Sequence, residues 1–430
     1  MMESMTMQPG LRFGELKIPS SKSHVHRLLI AAALGEDPVF VRLRGLSDDI
    51  LATAACLRAM GAEVSCTESG ISVSPPDRSG AQKEEVLLPC GESGSTLRFL
   101  LPVLGACGIS GCFRMEGRLP ERPMGVFEDE LRRHGMNIRR EGCFLHAAGK
   151  LTAGDYCLPG NISSQYFSGL LFALPLLEGE SRLRADGVLE SAAYIRMTEA
   201  VLKSAGIRFE KQGTEWTIPG GQHFCLPADL QAEGDWSNAA FFLCLGALSE
   251  KGVTVHGLRT DSVQGDRAVL QVLETFGARV SVEGSSVSVC AGEKKPFSLD
   301  ASGVPDLVPV LSVLACAAEG ESVIAGAARL RMKESDRILS TVKLIRDLGG
   351  EAGETSDGLI IRGSGSLRGG TADSFHDHRI AMSAAVAAAL CRERVIVQDP
   401  SCVEKSYPAF WQDWERSLTC QVPGSETRFA

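Results

Sequence analysis

Apolar residues recur along this chain at the spacing of an amphipathic helix, and each such run is followed by two short stretches of alternating polarity. The clearest run places Val269, Val272, Leu273 and Phe276 on one helical face. Gly277 comes next, where a glycine commonly ends a helix. The stretches ARVSV and SVSV then alternate around the turn EGSS, which predicts two paired strands.

This pattern of one helix and two strands occurs five times at a nearly constant interval. The glycines that end the predicted helices are evenly spaced: Gly61, Gly135, Gly206, Gly277 and Gly349. The glycines at the predicted turns keep the same order: Gly70, Gly142, Gly213, Gly284 and Gly358. Chance would not keep two markers in step, so we infer an internally repeated fold.

A second predicted helix belongs to each repeat and can be found six times. Each begins with small or polar residues and then becomes strongly apolar. One polar residue marks each start, again at nearly even intervals: Ser23, Ser93, Ser163, Ser237, Asp306 and Asp377. The sequence therefore predicts six units of similar length, each with two helices and several strands.

These polar starts have a structural and a functional interpretation. Ser and Asp at a helix start commonly do no more than cap free backbone N–H groups. However, Lys22, Arg27, Arg98 and Arg379 lie in or beside the starts. A cation opposes the positive end of a helix dipole unless an anion comes between them. The cations beside these helix starts therefore favour a role in anion binding.

Length, charge and cysteine usage narrow the class of protein. A chain of 430 residues is too long for one ordinary core, which favours two domains of three units each. The net charge of −9 argues against a nucleic-acid partner. We see no membrane span and no secretion signal. The 14 cysteines form no C-x-x-C pair, so we expect no metal, and we expect reduced thiols in the cytoplasm.

The most highly charged stretch is RLRMKESDR, residues 329–337. It could be an exposed helix start held by ion pairs, or a solvated loop. Against these alternatives, HDHR, LPERPM and EKSYP repeat the same mixture of cation and carboxylate. A carboxylate beside several cations stays ionised. A bound anion that neutralised those cations would allow the carboxylate to carry a proton, as a general acid or base does.

Ten motifs carry a resemblance that covers nearly the whole chain. They are SKSxxxR (21–27), GESGSTLR (91–98), LPERPM (119–124), SSQ (163–165), SAAY (191–194), EGDWS (233–237), PD (305–306), RMKESDR (331–337), DHRIAM (377–382) and DPSCVEKSYP (399–408). In this order they resemble the 5-enolpyruvylshikimate-3-phosphate synthase family of enolpyruvyl transferases. KESDR and DHRIAM are the specific signals, whereas SKS or SSQ alone would be weak.

The resemblance implies a mixed α/β fold of two similar domains. Each domain would contain three βαβαββ repeats in an inverse α/β barrel, with the active site in the interdomain cleft. One domain would span 20–232 and the other 1–19 with 233–430. The implied reaction joins shikimate 3-phosphate to phosphoenolpyruvate and releases phosphate, as a step of aromatic amino-acid biosynthesis. No cofactor, metal, nucleic acid or membrane is implied, and we expect a monomer. Glyphosate would compete with phosphoenolpyruvate.

The resemblance also assigns site residues. The implied ligands of shikimate 3-phosphate are Lys22, Ser23, Arg27, Ser163, Ser164, Gln165, Ser191, Tyr194, Asp306 and Lys333. The implied ligands of phosphoenolpyruvate are Lys22, Gly94, Arg122, Gln165, Arg337, Arg379 and Lys405. The implied catalytic residues are Asp306, Glu334 and Lys22. Asp306 would take the proton of the attacking hydroxyl, Lys333 would orient that hydroxyl, and Glu334 would protonate C3.

Two positions depart from the family's pattern, and two other functions compete. Glu92 stands where many members carry Asn, and Arg329 where some carry Asn. A sister family transfers the same group to UDP-N-acetylglucosamine, and its hallmark Cys would fall here at Gly117, so that thiol is absent. A binding protein on the same fold is the second alternative. Loss of Asp306, Glu334 or Lys22 would have favoured it, and all three are present.

Overall fold

A computed structural model describes residues 4–76, 84–416 and 418–421, and the fold is reported for these residues. The chain divides into two compact units. We call Ser20–Ala232 the continuous unit, and Met1–Pro19 with Glu233–Ala430 the discontinuous unit. The domain boundaries expected from the sequence also enclose residues 1–3, 77–83, 417 and 422–430, which lie outside the described residues.

Strands and helices alternate along the described residues, which confirms the predicted mixed α/β class. The strands are β1 Ser4–Met7, β2 Leu11–Lys17, β3 Val39–Arg42, β4 Glu63–Thr67, β5 Gly70–Ser74, β6 Val86–Gly91, β7 Gly111–Met115, β8 Asn137–Glu141, β9 Phe144–Ala148, β10 Asp155–Pro159, β11 Ser181–Asp186, β12 Glu210–Gln212, β13 Glu215–Ile218, β14 Asp229–Gln231, β15 Val253–His256, β16 Arg279–Glu283, β17 Ser286–Cys290, β18 Ser298–Asp300, β19 Gly320–Ala325, β20 Glu351–Glu354, β21 Leu359–Gly363, β22 Gly370–Asp373, β23 Val395–Gln398 and β24 Leu418–Gln421.

The helices are α1 Lys22–Ala33, α2 Asp48–Ala59, α3 Gly94–Cys107, α4 Gly125–Arg133, α5 Ser164–Ala173, α6 Ala192–Ser204, α7 Trp236–Gly246, α8 Val269–Phe276, α9 Val308–Ala315, α10 Arg337–Asp347, α11 His378–Ala388 and α12 Phe410–Arg416. Short 3₁₀ segments are Leu119–Glu121, Leu174–Leu176, Gly265–Ala268, Pro305–Leu307, Ala328–Met332 and Pro400–Lys405. No helix in the described part of the chain has the length and apolar character that crossing a bilayer requires.

Each unit contains three sheets, and every sheet contains one pair of parallel strands. In the continuous unit the strand orders are β14-β3-β5-β4, β6-β7-β9-β8 and β10-β11-β13-β12. In the discontinuous unit they are β16-β17-β15-β2-β24, β18-β19-β21-β20 and β1-β23-β22. The parallel pairs are β14·β3, β6·β7, β10·β11, β15·β2, β18·β19 and β22·β23.

The repeat is seen in full where β6, α3, β7, α4, β8 and β9 follow one another and the four strands share a sheet. The same βαβαββ order recurs from β10 to β13 and from β18 to β21. All five helices predicted to end at a glycine do so: the φ angles of Gly61, Gly135, Gly206, Gly277 and Gly349 lie between 77° and 99°. Glycine adopts this left-handed conformation without the steric cost of a Cβ.

The second helix of each repeat forms the interior of its unit. In α3 and α5 almost every side chain is buried, and both helices belong to one apolar cluster with the inward faces of the sheets. The helices α7, α9 and α11 have the same position in the core of the discontinuous unit. These helices are uniformly apolar after their first turn because their sides are covered by protein. Only their N-terminal turns need polar residues.

The polar residues that mark these helix starts do not all serve as caps. Ser93, Ser163 and Asp377 are N-caps, and each accepts a hydrogen bond from a backbone N–H of the first turn. In α1 and α7 the cap lies two residues earlier than the marker, at Ser21 and Asp235. Ser23 and Ser237 are therefore inside their helices. Asp306 lies in the 3₁₀ segment before α9, so its carboxylate is available for other partners.

Candidate active site

The predicted site residues follow the carboxyl ends of parallel strands. Gly94 follows β6 and Arg122 follows β7, two neighbours in one sheet. The same relation holds for β10 and β11, for β18 and β19, and for β22 and β23. The carboxyl ends of adjacent parallel strands meet at one edge of the sheet, which is where ligands bind in open α/β sheets. This topology brings together residues that are far apart in sequence.

In the continuous unit, α3 begins close to two arginines. A Cβ at Gly94 would lie 2.7 Å from Nη1 of Arg98 and 3.0 Å from Nη1 of Arg122. Gln165, at the start of α5, accepts a hydrogen bond from Nη1 of Arg98 at 2.7 Å and donates to Ser95 at 2.9 Å. Gly94, Arg122 and Gln165 are thus brought together, and Arg98 fixes the orientation of the Gln165 amide.

The serines predicted to hold a phosphate lie on two neighbouring loops. Ser163 caps α5 and Ser164 is its first residue, after β10. Ser191 precedes α6, after β11. Ser191 has a left-handed backbone with φ 51° and ψ 37°, a conformation that costs a non-glycine residue on the order of 1–3 kcal/mol. Such strain is concentrated at functional sites, so it supports a ligand-binding role for this loop.

Arg27 is held almost entirely by protein. Its guanidinium donates to the carbonyls of Ser23 and Tyr194 at 2.6 and 2.8 Å, and to the hydroxyls of Thr198 and Ser168 at 2.8 and 3.3 Å. Four of its five N–H groups are used in this way. Burial lowers the pKa of Arg27 to about 9, so the group still carries its charge at neutral pH. Arg27 therefore also fixes the start of α1 relative to α6.

Lys22 opens α1 with its ammonium 2.7 Å from a carboxylate oxygen of Asp49. Both side chains are mostly buried, because the exposed fraction is 15% for Lys22 and 8% for Asp49. Asp49 belongs to the first turn of α2 and was not among the predicted site residues. The pair places a partly buried cation at the start of α1.

In the discontinuous unit, Asp306 is surrounded by three cations. Its carboxylate accepts a hydrogen bond from Nη1 of Arg337 at 2.8 Å and lies 3.8 Å from Nζ of Lys333 and 3.5 Å from Nη2 of Arg379. Glu334 joins the group by accepting from Nη2 of Arg337 at 2.8 Å. Five of the predicted site residues, including both proposed proton-transfer groups, are therefore connected within one unit.

Arg337 is anchored by a carboxylate that was not assigned to the site. Asp377 accepts from Nε and Nη2 of Arg337 at 2.8 and 3.2 Å, and also from the hydroxyl of Ser335 at 3.0 Å. The same carboxylate caps α11 by accepting from the backbone N–H of Arg379. Asp377 is fully buried. Its hydrogen bonds from the Arg337 side chain and from the backbone N–H of Arg379 fix the positions of both residues.

Arg379 has unused donors although it is buried. Its Nη2 donates to Ser237 at 2.7 Å. Its Nε and Nη1 are inaccessible to solvent and have no hydrogen-bond partner among the described residues. A buried guanidinium normally satisfies such N–H groups, because leaving them unmade is costly. The arrangement therefore provides two donor atoms for an anion. Lys405 is also buried, at the end of a 3₁₀ segment that follows β23.

The charges in this cluster shift one another's pKa. Burial alone would raise the pKa of Asp306, but Lys333, Arg379 and Arg337 outweigh it and hold that pKa well below the usual range. Burial, aided by Arg337 and opposed by Asp306, lowers the pKa of Lys333 to about 8. The pKa of Arg337 is raised, because Asp377, Glu334 and Asp306 outweigh the effect of burial. The cluster is thus a network of opposite charges in which the Asp306 carboxylate stays ionised.

The two departures from the family pattern have defined positions. The side chain of Glu92 packs against Gly117, where a Cβ would overlap its carboxylate. Gly117 also has φ 54°, a left-handed conformation that favours glycine. Both the space beside Glu92 and the backbone conformation therefore disfavour a side chain at this position. Arg329 donates to the carbonyl of Ser302 at 3.0 Å, which ties the charged stretch to the loop after β18. Within 329–337, Arg331 forms ion pairs with Asp336 and Glu354. Asp336 is the N-cap of α10, so Arg331 stabilises the start of that helix.

Asp49, Arg98 and Asp377 complete the site but were absent from the predicted set. Asp377 and Arg98 could have been found, since they lie within the motifs DHRIAM and GESGSTLR. Asp49 had no signal beyond its place in the first turn of a predicted helix. The hydroxyls of Ser168 and Thr198, which hold Arg27, lie in the apolar middle of α5 and α6 and give no pattern of their own.

The chain matches proteins of one known family. A family model described as EPSP synthase (3-phosphoshikimate 1-carboxyvinyltransferase) matches residues 9–414. Curated proteins named 3-phosphoshikimate 1-carboxyvinyltransferase are similar over nearly the full length. The one from Clostridium kluyveri is 38% identical over 424 residues, covering 98% of each chain. The one from Clostridium beijerinckii is 38% identical, covering 96% of this chain and 97% of that protein.

Solved structures show the same fold. EPSP synthase from Acinetobacter baumannii superposes with a TM-score of 0.79 at 26% identity, covering 97% of this chain and 100% of that one. The enolpyruvyl transferase NikO from Streptomyces tendae has a TM-score of 0.79 over 98% and 100% of the two chains, and at 18% identity it shows the fold alone. The chain thus has the α/β fold of the EPSP synthases and of NikO. The chain belongs to the EPSP synthase family.

Proposed function

We propose that this protein is a 3-phosphoshikimate 1-carboxyvinyltransferase that acts on shikimate 3-phosphate and phosphoenolpyruvate. The 5-hydroxyl of shikimate 3-phosphate attacks C2 of the enol while C3 takes up a proton. The tetrahedral adduct then loses phosphate, and C3 returns its proton. The observation that carries the proposal is the Asp306 carboxylate among Lys333, Arg337 and Arg379, in a chain of this family.

Phosphoenolpyruvate is the ligand assigned to Arg379 and Arg337. The Nε and Nη1 of Arg379, which have no hydrogen-bond partner among the described residues, offer N–H donors to a carboxylate or phosphate. Arg337 and Lys405 are assigned to the same substrate, together with Lys22, Gly94, Arg122 and Gln165 of the continuous unit. At Gly94 the missing Cβ leaves the backbone N–H open to a phosphate oxygen.

Shikimate 3-phosphate is assigned chiefly to the continuous unit. Ser163, Ser164 and Ser191 supply hydroxyls and helix N-termini to the 3-phosphate, where the helix dipole favours an anion. Gln165 would lie under the ring, with Tyr194 nearby. Lys22 is assigned to both substrates, and Ser23 and Arg27 to the carboxylate region of shikimate 3-phosphate. Arg27 would contribute the one N–H that it does not donate to protein acceptors.

The proton transfers are assigned to Asp306 and Glu334, two of the three carboxylates that accept hydrogen bonds from Arg337. Asp306 takes the hydroxyl proton, with Lys333 holding that hydroxyl in place. Glu334 delivers the proton to C3 and accepts it back during elimination. The surrounding cations stabilise negative charge as it develops in the adduct. Because Asp306 is a weak base while its cations are uncompensated, we infer that bound phosphate and carboxylate groups raise its basicity.

The sister reaction with UDP-N-acetylglucosamine is disfavoured by the packing of Glu92. A cysteine at position 117 would need the space that the Glu92 carboxylate occupies, and would need a left-handed backbone. A binding protein without catalysis is disfavoured because Asp306, Glu334 and Lys22 are all present. Asp306 and Glu334 both pair with Arg337, and Lys22 pairs with Asp49 in its own unit.

The decisive experiment measures phosphate release from phosphoenolpyruvate by the purified protein. One reaction contains shikimate 3-phosphate and a second contains UDP-N-acetylglucosamine. We expect release only in the first. Release only in the second would assign the sister reaction, and no release in either by folded protein would support a binding function. Arg379→Lys keeps the charge but loses the fork, so it should raise KM for phosphoenolpyruvate more than KM for shikimate 3-phosphate.

The proposal also covers the cellular compartment, the oligomeric state and the inhibitor of the enzyme. We place the enzyme in the cytoplasm as a monomer, and light scattering on the eluting protein tests the second point. All 14 cysteines are free thiols, which suits a reducing compartment. Glyphosate is proposed to compete with phosphoenolpyruvate, so its inhibition should be relieved by excess phosphoenolpyruvate and not by excess shikimate 3-phosphate.

A further inference from the structure

A second cluster of ligand-type side chains lies in the continuous unit, in the sheet β6-β7-β9-β8. It consists of Glu85, Cys112 and His146, and none of the three belongs to the proposed active site. Within the described residues it is the only group of His, Cys, Asp and Glu whose donor atoms could share one metal ion. Sequence spacing did not reveal it, because the three residues lie far apart along the chain.

The sheet register brings these residues to one face. Cys112 on β7 is directly opposite His146 on the antiparallel strand β9. Glu85 immediately precedes β6, which pairs in parallel with β7 on its other side. Directly opposed residues on one face have their Cβ atoms about 4.5–5.5 Å apart, close enough for their side chains to meet. Two adjacent strands, β7 and β9, and the residue before β6 therefore each contribute one donor group.

Hydrogen bonds already hold the donors in place. The Sγ of Cys112 lies 3.8 Å from Nε2 of His146, and Nδ1 of the same ring lies 2.9 Å from Oε1 of Glu85. One ligand atom from each residue lies within 4.8 Å of the others. In a tetrahedral zinc site, bonds of about 2.3 Å to sulfur and 2.0 Å to nitrogen separate these two ligands by about 3.5 Å. The thiol and the imidazole therefore need to move by only a few tenths of an ångström.

We propose that Glu85, Cys112 and His146 form a binding site for a thiophilic divalent cation, with Zn²⁺ as the fitting ion. Sulfur, nitrogen and one carboxylate are the donors that Zn²⁺ takes, whereas Mg²⁺ and Ca²⁺ prefer oxygen alone. Cys112 is buried, His146 is a quarter exposed and Glu85 is 45% exposed. Glu85 contacts Nδ1 of His146, whereas Cys112 faces Nε2. The exposed carboxylate must therefore leave Nδ1 to reach an ion held by Sγ and Nε2, and water completes the coordination.

A catalytic thiol–imidazole pair is the other chemistry that these two residues could have. Burial and the nearby Glu85 carboxylate raise the pKa of the Cys112 thiol. Reactive cysteines have the opposite shift and an electropositive, accessible setting. The pair is therefore a poor nucleophile. A bound ion would instead connect three strands of the sheet and stabilise the folded unit by mass action.

Cobalt provides the test, because thiolate-bound Co²⁺ gives a charge-transfer band that oxygen and nitrogen ligands do not. Chelator-treated full-length protein is titrated with Co²⁺ under reducing conditions, followed by Zn²⁺. We expect one equivalent to bind with a thiolate band, Zn²⁺ to abolish the band, and Zn²⁺ to raise the melting temperature. Absence of the band in the unmodified protein would overturn the proposal.

Variants test whether the thiolate–Co²⁺ band arises from Cys112 and His146. Cys112→Ser and His146→Gln should each remove it, and His146→Gln keeps the test valid if the buried serine impairs folding. The matched control is His256→Gln, because His256 also pairs with a glutamate, Glu15 at 3.2 Å, but belongs to no group that contains a cysteine. It should keep the band. A band that persists in Cys112→Ser would assign the metal to another thiol and overturn the proposal. Phosphate release should be unchanged in all three variants.

Discussion

At the scale of single residues, the main question is how Asp306 can act as a base. Its three cationic neighbours stabilise the carboxylate and reduce its affinity for a proton. In the proposed function, these cations are the groups that the two polyanionic substrates neutralise. That proposal implies that substrate binding raises the basicity of Asp306 and so couples proton transfer to occupancy of the site.

Replacing Asp306 with Asn should separate catalysis from binding. The variant loses the proton acceptor, so we expect kcat to fall by about 10²–10⁴-fold. The KM for phosphoenolpyruvate should stay the same or decrease, because a competing negative charge is removed from Arg337 and Arg379. Steady-state phosphate release measures both constants. The control is Asp347→Asn, at a partly exposed residue whose side chain pairs with Lys343. It should keep kcat within about twofold. A rise in KM without a change in kcat would show that Asp306 only positions the arginines.

The pKa of Lys333, lowered to about 8, predicts an alkaline limit to activity. Lys333 is a cation below this pH and loses its charge above it. If the ammonium orients the hydroxyl, kcat/KM for shikimate 3-phosphate should fall as pH rises above about 8. The same limb should appear at higher pH in kcat, since bound anions favour the charged form.

The conservative variant decides whether Lys333 causes that limb. Lys333→Arg stays protonated across the range, so its alkaline limb should move to higher pH even if the rate is reduced. Lys343→Arg, an exposed change in the same unit, should leave the limb in place. An unmoved limb in Lys333→Arg would assign it to another group.

Gly94→Ala tests the close approach at the start of α3. The new methyl would lie 2.7 Å from Nη1 of Arg98 and 3.0 Å from Nη1 of Arg122, so both side chains must shift. We expect a roughly 10-fold rise in KM for phosphoenolpyruvate, equivalent to about 1.4 kcal/mol, with weaker inhibition by glyphosate. The KM for shikimate 3-phosphate should change little. Gly125→Ala, where nothing lies within 4 Å of the new Cβ, is the matched control.

Motifs predicted the charged residues of the site better than their partners. Short local patterns identified Lys333, Glu334 and Arg337, because motif residues are close in sequence. The pairing of Lys22 with Asp49 depends on how α1 packs against α2, and no local pattern encodes that. Packing also decides how far each arginine is satisfied by protein. Among the described residues, Arg379 has two donor atoms without a partner, whereas Arg27 has four bound N–H groups. Sequence could place both arginines at helix starts and could not distinguish them.

At the scale of secondary structure, periodicity and glycine position were enough to predict the repeated helices. All five helices ending at the predicted glycines are present, because a left-handed residue there is a local requirement. The caps were less predictable. Asp235 caps α7 while Ser237 instead accepts from Arg379, a partner that is distant in sequence. The six sheets could be expected only as strand pairs, since their order depends on long-range contacts.

The packing of α3 against α5 gives a prediction at this scale. A Cβ at Gly169 would overlap the carbonyl oxygen of Arg98 and lie 3.1 Å from Cγ of Pro102. The two helices therefore touch through backbone, and Gly169→Ala must force them apart. We expect a loss of about 1–3 kcal/mol in the free energy of unfolding. Urea denaturation followed by circular dichroism measures it. Gly125→Ala, in an open helix position, should be neutral or slightly stabilising, and equal behaviour of the two variants would contradict the close contact.

At the scale of the whole molecule, the described apolar residues form two separate cores. One core contains buried side chains of the continuous unit only, and the other those of the discontinuous unit only. Each unit has about 200 residues, a size at which a domain can fold by itself. Stability is therefore set unit by unit, and a single free energy of unfolding need not describe the whole chain.

Free cysteines report on the two cores without any added probe. Cys56 and Cys90 are buried in the continuous unit, and Cys244 and Cys316 in the discontinuous unit. Because a buried thiol reacts only when its core opens, pulsed alkylation across a urea series, read by mass spectrometry, gives a midpoint for each unit.

Gly169→Ala should lower the midpoint for Cys56 and Cys90, because Gly169 lies in α5 of their unit. The midpoint for Cys244 and Cys316 should stay where it is in the unmodified protein. Gly125→Ala should lower neither. If all four thiols moved together in Gly169→Ala, the chain would unfold as one cooperative body, and the two cores would have to be energetically coupled.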